Sequence, residues 1–192
     1  MLSIAITQQR VEAALAAGEI GCPACSGPLP PWGFARSRDV RTPTEVQSLR
    51  PRRARCAACK RTQVLCPSWS VPRRRDSAQV IGEALRLAAD GIGHRRIALR
   101  VERPEGTVRG WLRAARTRAE SLRACATRRL VALDPEPAAV TAAGSGLGDA
   151  VEAIMLAVRA WVRRFGSDSI GPWERAVWLT GGLMYGCPPL PP

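Results

Sequence analysis

Histidine and tyrosine are nearly missing from this sequence of 192 residues, which contains only His94 and Tyr185. A single histidine excludes a metal site built from paired histidines, and no serine or cysteine lies in a recognisable motif with a base. Tyr185 stands near a proline-rich C-terminus without a recombinase-like scaffold. The 16 acidic residues are scattered, whereas a two-metal nuclease needs several convergent carboxylates on a sheet. We therefore predict that the protein is not an enzyme and has no small-molecule substrate.

Long apolar runs are missing as well. No stretch approaches the roughly 18 apolar residues that a membrane-spanning helix needs. Residues 1–18 contain Gln8, Arg10 and Glu12 where a signal peptide would need an apolar segment. We therefore expect a cytoplasmic protein without membrane contact.

Acidic residues are few relative to basic ones, since 29 Lys+Arg oppose 16 Asp+Glu and give a net charge of +13. Lys60 is the only lysine, so the basic charge is almost all arginine, part of which reflects a GC-rich coding habit. The charge is concentrated, because residues 36–75 carry +10 and residues 76–129 carry +6 while both ends are slightly negative. This distribution indicates a polyanionic partner that docks on the middle of the chain.

The seven cysteines are an odd number without a secretory signal, which argues against a set of disulfides. Four of them form two C-x-x-C motifs, and this spacing supplies four thiolates to one tetrahedral zinc ion. The alternatives are four buried thiols or a thioredoxin-like redox pair. We predict a structural zinc ion, with Gly27 supplying a positive φ in the first motif. The predicted ligands are Cys22, Cys25, Cys56 and Cys59.

Short strands at 53–56 and 62–66 flank the second motif and predict a zinc ribbon, with a helix over 7–17 packed on it. Three cysteines outside the motifs are expected to be inert apolar residues: Cys66, Cys125 and Cys187. Trp32 and Phe34 lie beside arginines and can stack on exposed bases, but a tryptophan near a zinc knuckle more often belongs to the core of the ribbon, so binding of single strands or RNA is the lesser alternative.

Residues 76–126 show helical periodicity in three segments. Ser77 is predicted to cap the first helix, and Gly91 to close it. The second helix is expected over 94–101, and the third is expected to begin with Thr107 as its N-cap. The second and third helices are joined by a short turn, and the first helix supports them. This is the pattern of a helix-turn-helix domain, and the alternative is three helices that only pack together.

Arg109, Arg113 and Arg116 follow the i, i+4, i+7 pattern and share one edge of the third helix. A helix fits the major groove of DNA, where arginines reach guanine edges or phosphates. The alternative is an ordinary solvated helix face. We assign Thr107 and these three arginines to the DNA contact, with base recognition by Arg109 and Arg113. We assign phosphate contacts to Arg116, Arg95 and Arg96. The triplet Arg73, Arg74 and Arg75 is either a minor-groove arm or a solvated linker.

A linker is predicted over 127–148, where proline and glycine recur, and two apolar helices over 149–165 and 173–183. These helices cannot bury themselves alone. They either pack on the helix-turn-helix core or pair with a partner, and we favour a homodimer or a partner protein bound through 149–183.

A family resemblance rests on four segments, namely residues 53–59, 72–76, 93–98 and 107–113. They resemble small uncharacterised proteins of high-GC bacteria that join an N-terminal zinc ribbon to a helix-turn-helix and often accompany mobile elements. The same module is similar to the N-terminal DNA-binding part of many transposases. The resemblance implies DNA binding and no known reaction, and it departs at Glu102, where the family turn often has glycine.

The sequence therefore predicts a mainly α protein with a small β zinc ribbon: ribbon over 1–72, helix-turn-helix over 73–126, linker over 127–148 and a helical hairpin over 149–192. The expected function is zinc-stabilised, sequence-specific binding of double-stranded DNA in the cytoplasm, next to the nucleoid, as a transcriptional regulator or a mobile-element targeting subunit. The alternatives are a protein–protein adaptor acting through the C-terminal helices, or a transposase-associated fragment without catalysis of its own.

Overall fold

A computed structural model describes residues 2–4, by their backbone, and residues 7–136, 141–167 and 169–180. The predictions for Tyr185, Cys187 and the end of the last helix lie outside these residues. The described chain is mainly helical with a small sheet. Its elements are β1 Leu2–Ile4, α1 Gln8–Ala16, β2 Pro31–Phe34, β3 Arg38–Arg41, β4 Val46–Leu49, β5 Arg52–Arg55, β6 Thr62–Pro67, α2 Ala78–Ala89, α3 His94–Arg100, α4 Glu105–Thr117, α5 Ala119–Leu133, α6 Gly146–Phe165 and α7 Pro172–Leu179.

The N-terminal part is a four-stranded sheet in the order β1-β6-β5-β2. The two strands predicted around the second cysteine motif are present as β5 and β6, which pair antiparallel. β1 joins the far side of β6 in parallel, and β2 forms the opposite edge beside β5. A separate hairpin of β3 and β4, which the sequence analysis did not predict, follows β2.

Helix α1 covers one face of this sheet, as predicted. The Thr7 hydroxyl accepts a hydrogen bond from the amide of Arg10 at 3.4 Å and caps the helix. Val11 and Leu15 are buried with Leu29 and Leu65 in a small core next to the first cysteines. This core is too small to hold the segment on its own, so a metal ion would add to its stability.

Helix α2 begins as predicted from the sequence, whereas α4 does not. The Ser77 hydroxyl caps α2 by accepting from the amide of Val80 at 3.4 Å, and Gly91, at φ +80°, follows its end. Helix α4 starts at Glu105 with Pro104 as its N-cap, so the prediction that Thr107 caps this helix is wrong. Proline lacks an amide hydrogen and suits a helix start, where that hydrogen would have no partner. Thr107 lies in the first turn instead.

The predicted linker over 127–148 is helical in its first part, because α5 continues to Leu133. Leu122, Ala126 and Leu130 recur every four residues along α5 and are buried. Helix α6 also begins earlier than predicted, where the Ser145 hydroxyl accepts from the amide of Gly148 at 3.1 Å. The segment between α5 and α6, residues 134–145, is therefore shorter than the predicted linker.

One continuous apolar core joins α2, α4, α5, α6 and α7. Helix α6 packs mainly on α5 and also on α2, and α7 packs on α2 and α6. The contact between α7 and α2 is close, since a Cβ added at Gly82 would collide with the Trp173 ring. The described C-terminal helices thus bury apolar residues within this chain, the first of the two outcomes that the sequence left open. A homodimer or a partner bound through 149–183 stays a prediction.

None of the described helices combines the length and the apolarity that crossing a lipid bilayer requires.

Candidate metal centre and arginine surface

The two C-x-x-C motifs converge, and the four sulfur atoms of Cys22, Cys25, Cys56 and Cys59 lie within 4.8 Å of one another. The Sγ atoms of Cys22 and Cys59 are 3.6 Å apart, and those of Cys25 and Cys56 are 3.5 Å apart. Tetrahedral thiolates at about 2.3 Å from one ion stand about 3.8 Å apart, whereas a disulfide requires about 2.0 Å. All four cysteines are free, so their spacing fits a metal site without disulfides.

Each motif turns back on itself through a left-handed residue four positions after its first cysteine. These residues are Ser26, at φ +56°, and Lys60, at φ +61°. The prediction that Gly27 supplies the positive φ is therefore wrong. A larger residue would be crowded there, because a Cβ at Gly27 would lie 3.0 Å from the Ala58 Cβ and 3.3 Å from the Cys56 Sγ.

The second motif favours a thiolate at Cys56. Burial opposes its ionisation, but the backbone amide of Cys59 and the Cys25 thiol stabilise the anion and lower the pKa of Cys56 to about 6. At Cys59 the Arg61 amide acts to lower the pKa, but burial and the neighbouring thiols outweigh it and raise the pKa to about 11. The thiols of the second motif thus differ in how readily they ionise, and a bound cation would help to ionise all four.

Helix α4 has one buried face and one basic face. Its apolar side chains enter the core at Val108, Trp111, Leu112 and Ala115. Arg109, Arg113 and Arg116 are exposed, as predicted from their spacing. Within the described residues no carboxylate forms an ion pair with any of these three arginines. Their charge is thus available to a partner.

The triplet 73–75 is part of a fixed turn. The Arg74 amide donates to the Val71 carbonyl at 3.1 Å, and the Arg41 amide donates to the Arg75 carbonyl at 2.7 Å. Arg74 lines the same shallow depression as Thr107 and Arg113 of α4. The structure therefore brings one residue of the triplet next to the arginine edge of α4, and it holds the backbone of this segment in place by hydrogen bonds.

Arg95 and Arg96 lie at the start of α3 and are exposed. The Arg95 Nε atom is 3.7 Å from the Glu105 carboxylate at the start of α4. That distance makes it a weak pair on the surface. Arg96 has no ion pair with a described residue. The two arginines thus lie in the first turn of α3, the helix before α4.

Sequence analysis missed Asp76, which is only 2% exposed and joins the sheet region to the helices. Its carboxylate accepts from Arg41 of β3 at 2.8 Å and from Arg103, in the turn between α3 and α4, at 2.6 Å. Arg103 also donates to the Thr42 carbonyl at 3.1 Å. The only signal in the sequence was one acid after three arginines, a pattern that also fits a solvated linker.

The cysteine cluster therefore belongs to the sheet region and the basic helix to the helical core, and the buried Asp76 carboxylate joins the β3–β4 hairpin to the turn before α4. Comparison with protein-family models, with curated proteins and with solved structures finds no match to this chain.

Proposed function

We propose that this protein binds double-stranded DNA in a sequence-specific way, with α3 and α4 as a helix-turn-helix and α4 as the recognition helix. The observation that carries the proposal is the basic face of α4. Arg109, Arg113 and Arg116 are exposed there without a carboxylate partner among the described residues, while the opposite face of the helix is buried. Arginine is the residue that most often reads guanine in the major groove.

The spacing of these arginines suits a groove contact. Arg109 and Arg116 are separated by seven residues, which is about 10 Å along a helix. Successive base pairs rise by about 3.4 Å, so the three arginines span about three base-pair steps. We assign base recognition to Arg109 and Arg113. Arg116, Arg95 and Arg96 then contact phosphates, with Thr107 and the 73–75 turn beside them.

The cysteine cluster supports a structural role for zinc in the same proposal. Four thiolates are soft ligands, and a closed four-sulfur set is typical of structural zinc sites. Cys22, Cys25, Cys56 and Cys59 would hold the ion between the two knuckles and so complete a zinc ribbon. Zinc would supply stability to the small sheet, and this chain's own arginines would make the DNA contact. Transcriptional regulation and targeting of a mobile element would use this same contact.

The first experiment selects bound sequences from a random duplex library with the zinc-loaded protein, and then measures affinity for the selected site and for random DNA. Arg113→Ala should weaken the selected site by about 1 to 3 kcal/mol and relax its preference. Arg96→Ala should weaken all sequences alike and reduce the salt slope by about one. Arg128→Ala, which removes an exposed arginine of α5, is the matched control. Equal losses for Arg113→Ala and Arg128→Ala would refute the assignment of α4.

Gly110 offers a second test of the same helix. Apart from its chain neighbours and the backbone of its own helix, nothing lies within 4 Å of a Cβ added there, so Gly110→Ala should stabilise α4 by up to about 1 kcal/mol. If the backbone of α4 approaches the groove wall between Arg109 and Arg113, the added methyl group should weaken DNA binding. A variant that is more stable and binds the selected site equally well would argue against that close approach.

A further inference from the structure

The segment with the highest net positive charge lies outside the proposed recognition helix α4. Residues 36–75 carry +10, whereas α4 belongs to the segment 76–129 with +6. Much of this excess lies on β5 and the turns on either side of it. The sheet therefore presents a basic surface of its own.

Two large aromatic side chains lie on this surface. Trp32 is 53% exposed and Phe34 is 42% exposed, both on the edge strand β2. The expectation that they belong to the core of the ribbon is wrong for both rings. Gly33, at φ +78°, lies between them in the sequence. Both aromatic side chains are therefore accessible to a ligand.

Each ring is paired with arginine from the neighbouring strand or the turn before it. The Arg55 guanidinium lies 4.9 Å from the Trp32 ring centroid, and those of Arg52 and Arg50 lie 4.4 Å and 4.9 Å from the Phe34 ring. We call these five residues the aromatic strip. The only carboxylate paired with its arginines, among the described residues, is that of Glu12, 3.1 Å from Arg52.

The strip and the basic face of α4 belong to different elements. Strand β2 packs extensively on β5, at the edge of the sheet opposite to β1, and has no extensive contact with α4. A ligand on the strip therefore contacts other residues than a duplex on α4 does.

Exposed rings beside guanidinium groups suit a ligand that has both flat apolar faces and negative charge. Unpaired nucleobases stack on aromatic rings, and the phosphates between them pair with arginine. A closed duplex hides the faces of its bases, so it can use the arginines but not Trp32 or Phe34. A protein surface of acidic residues would likewise leave the rings without a function.

We propose that the aromatic strip binds single-stranded DNA. Trp32 and Phe34 stack on unpaired bases, and Arg50 and Arg55 contact the phosphates, while Arg52 stays paired with Glu12 beside the Phe34 ring. The choice of DNA over RNA rests on the proposed function, because a strand opened beside a duplex held by α4 would be available to the same molecule.

The test uses the full-length, zinc-loaded protein and fluorescence anisotropy with labelled oligothymidine of about 12 nucleotides, oligouridine of equal length and the selected duplex. Trp32→Leu and Phe34→Leu keep an apolar side chain and remove the ring. Each should weaken oligothymidine binding by about 5- to 150-fold and leave duplex affinity unchanged. Trp32→Phe, which keeps a ring, should retain most of the affinity. Bound metal and the circular dichroism spectrum verify that each variant is folded.

Phe165→Leu is the matched control, because Phe165 on α6 is also exposed and lies 5.5 Å from the Arg164 guanidinium. It should bind oligothymidine like the wild type. Three results would overturn the proposal: no oligothymidine binding by the wild type, equal losses for Phe165→Leu and Trp32→Leu, or tighter binding of oligouridine than oligothymidine. Arg113→Ala separates the two proposals, because it should weaken the duplex and spare oligothymidine. If Arg113→Ala bound both the duplex and oligothymidine like the wild type, α4 would not be the duplex site, and the proposal for the aromatic strip would be unaffected.

Discussion

Replacing Asp76 with asparagine should destabilise the protein, because this carboxylate joins the β3–β4 hairpin to the turn between α3 and α4. Asp76→Asn keeps the shape of the side chain and removes the charge that faces Arg41 and Arg103. The Arg103 side chain is only 12% exposed, so its charge would remain largely buried without a counter-ion. Removing one partner of a buried ion pair costs about 3 to 5 kcal/mol.

The lower part of that range, or slightly less, applies here. Arg41 is 38% exposed and can regain water. Arg103 keeps hydrogen bonds to the Glu102 carbonyl at 2.9 Å and to the Thr42 carbonyl at 3.1 Å. We therefore expect a loss of about 2 to 3 kcal/mol, a large share of the roughly 5 to 15 kcal/mol that holds an ordinary domain folded.

Urea unfolding of the zinc-loaded protein, followed by circular dichroism, measures this loss. A double-mutant cycle with Arg103→Met tests the pair directly, and the double variant should lose less than the sum of the single variants. Glu120→Gln, which breaks an exposed pair with Arg123 on α5, is the control and should unfold like the wild type. A loss for Asp76→Asn below about 1 kcal/mol, or strict additivity in the cycle, would show that the ion pairs of Asp76 contribute little to stability.

Three further outcomes follow from the structure. Glu102→Gly should raise the unfolding free energy by about 0.5 to 1 kcal/mol, because Glu102 is held at φ +53°, where a side chain is strained; an unchanged urea midpoint would contradict this. Gly82→Ala should lower the unfolding free energy by about 1 to 3 kcal/mol or more, since the new methyl group would collide with the Trp173 ring; calorimetry would show an unchanged Tm if α7 does not pack there. Chelation should release one metal ion per chain, which atomic emission would count. It should also disorder the sheet while α2 and α6 keep their protection from hydrogen exchange; four free thiols without released metal would refute the metal site.

The parts of the fold that sequence analysis predicted are those with strong local signals. The convergence of four sulfurs could be predicted from the two C-x-x-C motifs, because this spacing is a specific signal for a metal site. Ser77 caps α2 because a serine before an apolar periodic run satisfies the free amides at a helix start. The exposure of the arginines on α4 followed from a clear 3.6-residue period, with Trp111 and Leu112 on the opposite face.

The parts that were missed depend on contacts distant in sequence. Helix α5 has many alanines and arginines, so its buried positions give a weak period, and proline and glycine after it suggested a linker. Trp32 and Phe34 looked like core residues, yet they lie on an edge strand whose partner supplies arginines. Asp76 pairs with Arg41 and Arg103, which are 35 and 27 positions away, and no local sequence pattern predicts such contacts.

The extensive contact between α5 and α6 determines where the chain can be shortened. Leu122, Ala126 and Leu130 of α5 are buried, together with apolar side chains of α6, in the core that also holds α4. Truncation at residue 126 or 148 would therefore leave an uncovered apolar stripe beside the arginine helix, and such a stripe promotes aggregation. A unit for binding assays therefore has to include α7, so a C-terminal deletion is a poor way to isolate the contribution of α4.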